Sequence, residues 1–435
     1  MQKEKEDIGI VWFTNNLRVQ DNYILKKTLE SHSKVLGLYC FDPRHFEKSP
    51  WGFKKTEKFR AQFLIETVTN LKENLEQLGI PLYVYQDKPE DILPKIISNF
   101  KVSAIYFQKE WTYEELNVIK AVKKVIPKNI KLNSYYDQFL FHPEDISMTI
   151  DSIPKIFTVF RKQVERDSEV RPTLTIKTGN TKTLENLTRI PTLSDLGFTP
   201  FETHPNSAFT FKGGESSALK RLSNYVFETK KIGFYKKTRN GLLGPDYSSK
   251  LSSWLANGSI SARTIYWAVK KFEEQHFKNE STYWLIFELM WRDYFKYVSL
   301  KHGNKIFKLG GILDKKYSWS EDSDIIKKWI QGETSESFVN ANMIELKNTG
   351  WMSNRGRQNV ASYLTKNLNI DWRIGASYFE SMLIDYDVHS NYGNWMYVAG
   401  VGNDPRDRVF NVKLQAERYD PNGKFQNLWL QPTLF

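Results

Sequence analysis

The spacing of apolar residues changes along the chain from short apolar runs to helical periodicity. In the first third, runs rich in Val, Ile, Leu and aromatic residues predict β-strands at 8–14, 34–41, 81–86, 103–108 and 130–136. Segments with helical spacing separate the later runs, at 60–79, where Gly79 is a stop, at 87–100 and at 113–126. Strands that alternate with helices require right-handed crossovers, so the pattern predicts a parallel sheet in a Rossmann-like α/β domain.

A second region follows a less regular segment that is rich in Pro and Thr. Its apolar spacing is helical, at 217–227, 260–275, 281–300 and 357–368. Ten of the 13 Trp lie after residue 250, so the larger aromatic core belongs to this region. A chain of 435 residues exceeds one ordinary core. We therefore predict an α/β domain over 1–137, a connector over 138–205 and an all-α domain over 206–435.

Composition narrows the class of protein. Hydrophobic residues make up 40% and charged residues 26% of the chain, without an apolar run of membrane-spanning length or a secretory pattern, so a cytoplasmic protein is expected. The single cysteine, Cys40, excludes a disulfide within the chain and a Cys-rich metal site, and is interpreted as a core residue on a strand. A net charge of +12 favours a polyanion such as nucleic acid, with a solubility bias as the alternative.

Residues 351–397 are unusually dense in rings and polar groups. They combine three Trp with closely spaced Asp and Asn and with an Arg pair near the start of the segment: Trp351, Trp372, Trp395, Asp385, Asp387, Asn354, Asn391, Arg355 and Arg357. Indole rings bury most of their area, while Asp and Arg are rarely buried unless they are paired. The mixture predicts a polar pocket inside an aromatic core, suited to a large, flat, polar cofactor.

The Asp385 and Asp387 carboxylates leave several interpretations open. Arg357 is a candidate partner for either, and the two could form a general acid/base pair, a metal site or a turn. His389 is the only further metal-binding side chain nearby, so a metal is not favoured. A glycosidase-type pair is also conceivable, because sequence spacing says nothing about the separation of the carboxyl groups.

Two other segments carry candidate chemistry. In 281–297, Trp284, Glu288, Trp291 and Arg292 share one face of a mostly apolar helix, and Arg292 is the expected partner of Glu288. A purely structural ion pair is the alternative interpretation. In 235–261, a Gly-containing loop leads into a Ser-rich segment and then a helix, which favours phosphate binding, with ordinary caps and turns as the alternative.

Four long motifs together resemble the photolyase/cryptochrome flavoproteins, and among them the DASH cryptochromes. They are YKKTRNGLLGPDYSSKLSSWLANGSIS, STYWLIFELMWRDYFKY, FVNANMIELKNTGWMSNRGRQNVASYL and DWRIGASYFESMLIDYDVHSNYGNWMYVAGVGNDPR. The resemblance covers essentially the whole chain. It implies an N-terminal Rossmann-like domain and a helical C-terminal domain that holds FAD in a bent form.

The resemblance also assigns roles to individual residues. It implies that the FAD phosphates are taken by Tyr235, Ser248, Ser249, Lys250, Leu251 and Ser252. Glu288, Arg292, Asn354 and Arg357 match pocket residues, Asp385 the partner of Arg357, Asp387 a contact of the isoalloxazine edge and Asn391 the residue facing flavin N5. Trp395, Trp372 and Trp319 match the family's electron-transfer chain, for which core packing is the alternative.

The implied reaction is blue-light-driven electron transfer to a cyclobutane pyrimidine dimer. Glu288 and Asn354 resemble residues that bond the dimer, and Trp291 resembles a ring that packs against it. Duplex photolyases carry Met and Trp where this chain has Gln358 and Tyr397. A more polar wall grips a flipped dimer less strongly, so single-stranded DNA, where flipping costs little, is the expected substrate.

The resemblance further implies a methenyltetrahydrofolate antenna between the domains, with Glu110 matching the residue that bonds the pterin. Family members more often carry Arg and Asp at the positions of Thr14 and Asn16, which changes the expected pairing around the N-terminal domain.

Three functions are compatible with these features. The first is a photolyase acting on single-stranded DNA, and a monomer is expected. The second is a blue-light receptor, although the chain ends soon after the last family motif and a long signalling tail is not expected. The third is a nucleic-acid-binding flavoprotein without repair activity, against which Glu288 and Asn354 weigh.

Overall fold

In a computed structural model, which describes residues 8–176 and 186–431, the five predicted strands form one parallel sheet. They are β1 (Ile8–Phe13), β2 (Lys34–Cys40), β3 (Leu82–Tyr85), β4 (Val102–Gln108) and β5 (Lys131–Tyr135). The sheet order is β3-β2-β1-β4-β5, so the order reverses between β1 and β4. In doubly wound sheets, the crevice outside the carboxyl ends of the strands at such a point is where ligands bind.

Helices cover both faces of this sheet, which explains why its central strands are continuous apolar runs. Those that follow the first four strands are α1 (Tyr23–Ser31), α2 (Lys58–Glu76), α3 (Pro89–Asn99) and α4 (Tyr113–Val125). All residues of β1 are buried. Helix α2 ends three residues before Gly79, which has a φ of 72°. The predicted stop therefore lies in the left-handed turn that returns the chain to β3.

The rest of the described chain is helical, as the apolar spacing predicts. The helices are α5 (Phe157–Asp167), α6 (Glu215–Ser223), α7 (Tyr235–Thr238), α8 (Ser252–Ala256), α9 (Ala262–Gln275), α10 (Glu280–His302), α11 (Ser323–Gln331), α12 (Ser337–Thr349), α13 (Asn354–Ser362), α14 (Trp372–Met382), α15 (Val388–Ala399), α16 (Val412–Tyr419) and α17 (Lys424–Leu430). The α/β domain followed by an all-α domain confirms the predicted fold class.

The predicted connector is more regular than expected, because it contains α5. Phe157, Phe160 and Val164 form one apolar face of this helix and are buried, and Phe160 lies against Tyr294 of α10. The surrounding Pro and Thr obscured a helix of only three turns. Residues 177–185 of the connector, like 1–7 and 432–435, lie outside the described residues, and the limits of the three segments remain predictions.

The two domains are joined by a cluster of buried charges. Asp137, after β5, accepts from Arg18 Nη2 at 2.6 Å and from Arg263 Nη2 at 2.9 Å. Arg263 also pairs with Asp21 at 2.9 Å. All four side chains are at most 5% exposed. Since Arg263 lies in α9 and the other three in the α/β domain, this cluster ties the two domains together.

The neutral residues Thr14 and Asn16 form a turn beside this cluster. The Thr14 backbone N–H donates to Asn16 Oδ1 at 2.9 Å. The backbone of this turn passes so close to Gly258 that a Cβ there would lie 2.0 Å from the Asn15 carbonyl oxygen. Because positions 14 and 16 carry no charge, the α/β domain contacts the helical domain here through the close approach of this turn to Gly258 and through the neighbouring Arg18.

One further expectation concerns the single cysteine. Cys40 is a buried free cysteine at the end of β2, as predicted. In the described part of the chain, no helix is long and apolar enough to cross a membrane.

Asp137→Asn should strongly destabilise the protein, because it leaves two buried guanidinium groups with one carboxylate. Removing one partner of a buried ion network costs about 3–5 kcal/mol. Urea unfolding followed by circular dichroism measures this change. The control is Asp167→Asn, whose partner Arg166 is 74% exposed, and loss of this solvent-screened pair should change the stability little. Equal losses for both variants would contradict a structural role for the cluster.

Candidate functional site

A cavity of about 380 Å³ lies within the helical domain, between α10, α13, α14 and α15. Eleven of the residues singled out in the sequence line it: Glu288, Trp291, Arg292, Asn354, Arg357, Gln358, Asp385, Asp387, Asn391, Trp395 and Tyr397. Tyr235, the segment 248–252, Trp372, Trp319 and Glu110 lie elsewhere. The structure therefore gathers residues more than 100 positions apart into one polar pocket with aromatic walls.

Helix α10 supplies one wall, and its start is fixed by a capping box. The Asn279 side chain accepts from the backbone N–H groups of Ser281 and Thr282, and Thr282 Oγ1 accepts from the Asn279 backbone N–H. Most of the helix is buried, and Glu288, Trp291 and Arg292 face the cavity from one side, as the predicted stripe requires.

The expected Glu288–Arg292 pair is wrong. Glu288 Oε1 is 2.8 Å from Arg239 Nη2, which comes from the segment after α7. Arg292 instead donates to the carbonyl oxygens of Gln138 at 2.7 Å and Leu255 at 3.1 Å. A long Arg side chain one helical turn away reaches whichever acceptor tertiary packing offers, and here the carbonyls at the domain boundary compete successfully. Burial raises the pKa of Glu288, and Arg239 opposes that shift.

Helix α13 and the loop before α15 contribute a second ion pair. Arg357 Nη2 donates to both carboxylate oxygens of Asp385, at 2.9 and 3.0 Å, and its Nε donates to the Met352 carbonyl. Of the two candidate partners of Arg357, the structure therefore selects Asp385.

Asp387 has a different role in the fold, because it is the N-cap of α15. Its Oδ1 accepts from the Ser390 backbone N–H at 2.8 Å, and its Oδ2 is 3.1 Å from Lys296 Nζ. Burial alone would raise the pKa of Asp387, but the positive charges of Lys296 and Arg292 and the Ser390 backbone N–H together outweigh it and hold the pKa well below its usual range. The carboxylate is therefore ionised. Among the described residues, no cluster of His, Cys, Asp or Glu could hold a metal ion.

Asn391 and Trp395 lie one and two turns further along α15. Asn391 Nδ2 donates to the Ala376 carbonyl at 3.0 Å, which orients the amide oxygen as the remaining acceptor. Trp395 packs directly on α14, where a Cβ on Gly375 would lie 2.2 Å from its ring. Its Nε1 is buried and has no partner among the described residues.

The other two predicted electron-transfer residues lie outside the cavity. Trp372, at the start of α14, is fully buried and is three residues before the Gly375 that contacts Trp395. Trp319 is partly exposed, and the adjacent Ser320 pairs with Ile370, just before α14. The start of α14 thus lies between a surface-accessible indole and the cavity.

Arg221 binds the backbone of the predicted phosphate loop, residues 248–252. This guanidinium donates to the carbonyl oxygens of Ser248 and Ser249, at 3.0 Å each. Lys250 has a φ of 63°, and its Nζ lies 3.2 Å from the centre of the Tyr247 ring. Tyr235 and Leu251 are buried, whereas Ser252 is exposed at the start of α8. The loop is ordered by contacts with its carbonyl oxygens and with the buried Lys250.

The wall near the opening combines rings with polar groups. The Trp291 ring stacks on Phe157, with centres 3.7 Å apart, and meets Tyr397 edge-on at 6.0 Å. Gln358 Oε1 is buried without a partner among the described residues. Asn354, the first residue of α13, is exposed. Because Phe157 already covers one face of Trp291, only its remaining surface is open to a ligand.

A second cavity of about 460 Å³ lies between the domains, at the carboxyl ends of β1 and β4. Glu110 lines it and accepts from Gln108 Nε2 at 2.6 Å. Burial raises the pKa of Glu110 to about 7, although Lys296 opposes the shift. Arg292, Tyr386 and Asp387 line both cavities, so the two spaces share a wall.

Two site residues were missed in the sequence. Arg239 lies within the motif 235–261, but no local spacing relates it to Glu288. Lys296 lies eight residues after Glu288 on the same helix and is 3% exposed. A lysine surrounded by apolar residues on a helix that is buried on most sides was the signal available for it.

Comparison with known proteins gives a consistent picture. Residues 9–177 match the family model described as DNA photolyase, and residues 284–434 match the model described as the FAD binding domain of DNA photolyase. The protein named Cryptochrome DASH from Gloeobacter violaceus is 47% identical over 425 residues, which are 97% of this chain and 85% of that protein.

Solved structures agree. The crystal structure of the Synechocystis sp. cryptochrome is 43% identical, with a TM-score of 0.93 over 99% of this chain and 89% of that one. An archaeal photolyase from Sulfolobus tokodaii, described with two FAD molecules, is 28% identical, with a TM-score of 0.78 over 98% of this chain and 90% of that one.

Glu110 should make the stability of the protein depend on pH. Its pKa in the folded state is about 7, against 4.5 for an unperturbed glutamate, so the folded state binds the proton more tightly. The associated stability is complete below the unfolded pKa and is lost as pH rises through the folded pKa, by on the order of 3 kcal/mol.

Glu110→Gln should therefore lose less stability than wild type between about pH 5 and about pH 8, as measured by urea unfolding without added folate. Glu114→Gln, which changes a side chain that is 55% exposed, is the control and should follow wild type. Parallel curves for wild type and Glu110→Gln would show that this carboxyl group titrates alike in the folded and unfolded chain.

Proposed function

The chain belongs to the DASH cryptochromes of the photolyase/cryptochrome family, and we propose that it repairs cyclobutane pyrimidine dimers in single-stranded DNA, using FAD and blue light. The observation that carries this proposal is the convergence of Glu288, Asn354, Asn391 and Trp395 on one cavity. These residues combine groups that bond a dimer, a group that bonds a flavin and an indole that can pass an electron.

The cavity has the chemistry that a flavin requires. Trp395 Nε1 and Gln358 Oε1 are buried polar atoms without partners among the described residues, and buried polar atoms are normally bonded. The Arg357–Asp385 pair and the Asp387 carboxylate offer both signs of charge around the same space. When bound, reduced FAD supplies the light-excited electron that enters the dimer and returns after the ring opens.

Each polar residue then holds one part of the cofactor. Asp387 accepts from the ring edge, and its ionised form is preserved by Lys296. Asn391 offers its amide oxygen to a ring N–H, because its Nδ2 is committed to Ala376. Tyr235 and the segment Ser248–Ser252 hold the phosphates, while Arg221 keeps the loop carbonyls turned away from them.

Glu288 and Asn354 take the dimer. The Glu288 carboxylate accepts from the N–H groups of the bases, and Arg239 favours its ionised form and fixes its direction. Asn354, exposed at the start of α13, offers both a donor and an acceptor. Arg239 therefore acts through Glu288 as a positioning residue.

Trp319, Trp372 and Trp395 would form the path by which electrons reach the flavin when it is bound. Their graded burial supports this order, from a partly exposed indole, through one that is fully buried, to one that lines the cavity. Gly375 supports it further, since its missing side chain allows Trp395 to contact α14 three residues after Trp372.

The preference for single strands rests on Gln358 and Tyr397. The exposed side of the site offers a Tyr ring and an amide where duplex photolyases carry larger or more apolar side chains. Base stacking contributes about 1–3 kcal/mol, which is comparable with the few kcal/mol needed to flip a dimer from a duplex. A weaker grip therefore selects the strand from which flipping is cheap.

The interdomain cavity is proposed to hold 5,10-methenyltetrahydrofolate as an antenna. It lies in the crevice where the strand order reverses, and its wall contains Glu110, a half-buried acceptor suited to the amino and N–H groups of a pterin. This interdomain cavity shares a wall with the cavity of the helical domain that is proposed to hold FAD, here called the flavin cavity. An antenna in it is therefore adjacent to the flavin that accepts its excitation energy.

Illumination of the reduced holoprotein with dimer-containing oligo-dT should restore thymine absorbance. Glu288→Ala should lower the affinity for the dimer by about tenfold or more, because a hydrogen bond to a charged group is lost. Glu336→Ala, at a partly exposed residue just before α12, is the control. Absence of recovery with the wild-type protein on single strands would refute repair and favour a blue-light receptor.

The double variant Gln358→Met/Tyr397→Trp should raise repair of duplex relative to single-stranded substrate by about tenfold, since one restored stacking contact is worth about 1–3 kcal/mol. The ratio of repair quantum yields on matched duplex and single-stranded oligonucleotides measures this. Tyr397→Phe, which retains the smaller ring, should leave the ratio unchanged. An unchanged ratio in the double variant would separate strand preference from these two positions.

A further inference from the structure

Lys296 lies at the wall that separates the two cavities. It is on α10, and its side chain is 4% exposed. Its Nζ lies 3.1 Å from Asp387 Oδ2, on the flavin side, and the residue itself lines the interdomain cavity. One buried cation therefore lines the interdomain cavity and pairs with a carboxylate, Asp387, that lines both cavities.

Groups of both signs surround this ammonium. Arg292 precedes it by one turn on α10, Asp387 and His389 approach from α15, and Glu110 approaches from the segment between β4 and α4. Burial and the ammonium of Lys296 lower the pKa of His389 well below its usual range, so the imidazole is neutral. Lys296 thus balances the charge of Asp387 and, when Glu110 is ionised, the charge of Glu110 as well.

The arrangement is held rigidly by a second set of contacts. Trp111, next to Glu110, donates from Nε1 to Ser299 Oγ at 2.7 Å, and Ser299 Oγ is 2.7 Å from His389 Nδ1. The Trp111 and His389 rings also stack, with centres 4.5 Å apart. Ser299 is three residues after Lys296 and His389 two after Asp387. The helices that carry the ion pair are therefore fastened to the residue beside Glu110.

Buried charges that share one counter-ion cannot change independently. Inside a protein, a charge–charge interaction is several times stronger than in water. Ionisation of Glu110, or engagement of its carboxylate by a ligand, changes the field at Lys296 and thus the balance of its interaction with Asp387. The Gln108 side chain, which donates to Glu110, does not carry a charge that would screen this effect.

We propose that Lys296 is a positioning residue that fixes the Asp387 carboxylate at the flavin edge and electrostatically couples the interdomain cavity to the flavin cavity. This rests on the proposed FAD site in the helical domain, but not on repair activity. The state of Glu110 then alters the affinity for FAD and the flavin potential in the dark, in addition to any transfer of excitation energy.

The test is a double-mutant cycle on the holoprotein with Glu110→Gln, Lys296→Met and the combination. FAD release after dilution, followed by flavin fluorescence, and the flavin midpoint potential are measured in the dark. Lys296→Met should speed FAD release by about tenfold or more, because a buried charge loses its partner. It should also lower the midpoint potential, since an uncompensated carboxylate disfavours addition of an electron.

Coupling predicts that the two substitutions are not additive, by about fivefold or more in FAD release. Glu110→Gln should also shift the midpoint potential of the wild-type background more than that of the Lys296→Met background. Additive effects would overturn the coupling, and FAD release and potential unchanged by Lys296→Met would overturn the positioning role.

Three further variants keep the test decisive. Lys296→Arg retains the charge and should restore most of the wild-type behaviour. Lys296→Gln keeps a hydrogen-bond donor without the charge and replaces Lys296→Met if that variant does not fold. Lys301→Met, on the same helix but bonded to the Ile153 carbonyl, should leave the potential unchanged, and a shift there would indicate a general effect of helix α10. Because these measurements need neither light nor DNA, they remain informative if dimer repair is absent.

Discussion

The architecture depends on burying charge at the junction of two domains. An ion that leaves water loses several kcal/mol of solvation, and only a well-placed partner recovers it. At this junction, Arg18 and Arg263 share Asp137, Arg263 also pairs with Asp21, and Arg292 is bound by two carbonyl groups. These buried ion pairs and hydrogen bonds thus hold the two domains in a defined orientation. Both cavities lie against this junction, so the same contacts also fix the shapes of the cavities.

Helix α10 places three charged side chains next to this junction. From one end to the other it presents Glu288 to the cavity of the helical domain, Arg292 to the domain boundary and Lys296 to the wall shared by the two cavities. A straight helix holds these groups at fixed spacing, whereas loops would allow them to drift. The opposing wall is formed by α13 to α15 and carries the Arg357–Asp385 ion pair and Asp387. The site is therefore two rigid surfaces of matched charge with space for a flat ring between them.

Much of this outline could be predicted from the sequence, because strand and helix periodicity is local. The five strands, the long helices and the polar pocket within 351–397 all follow from short-range patterns. What failed was the direction of long side chains. Glu288 and Arg292 share a helix face, yet each binds a group from another part of the chain, since tertiary packing offers Arg239 and two carbonyls instead. Helix α5 was hidden among Pro and Thr for the complementary reason, that three turns carry a weak periodic signal.

Asp387 illustrates how one carboxylate limits evolutionary change. One oxygen caps α15 through the Ser390 backbone, and the other faces Lys296 at the cavity wall. Replacing an N-cap aspartate costs about 1 kcal/mol of stability even where no ligand is involved. A relative without the proposed light-driven chemistry would therefore still benefit from keeping this residue. Its presence in a distant relative says little about activity, whereas Glu288, which caps no helix, could be lost together with the proposed function.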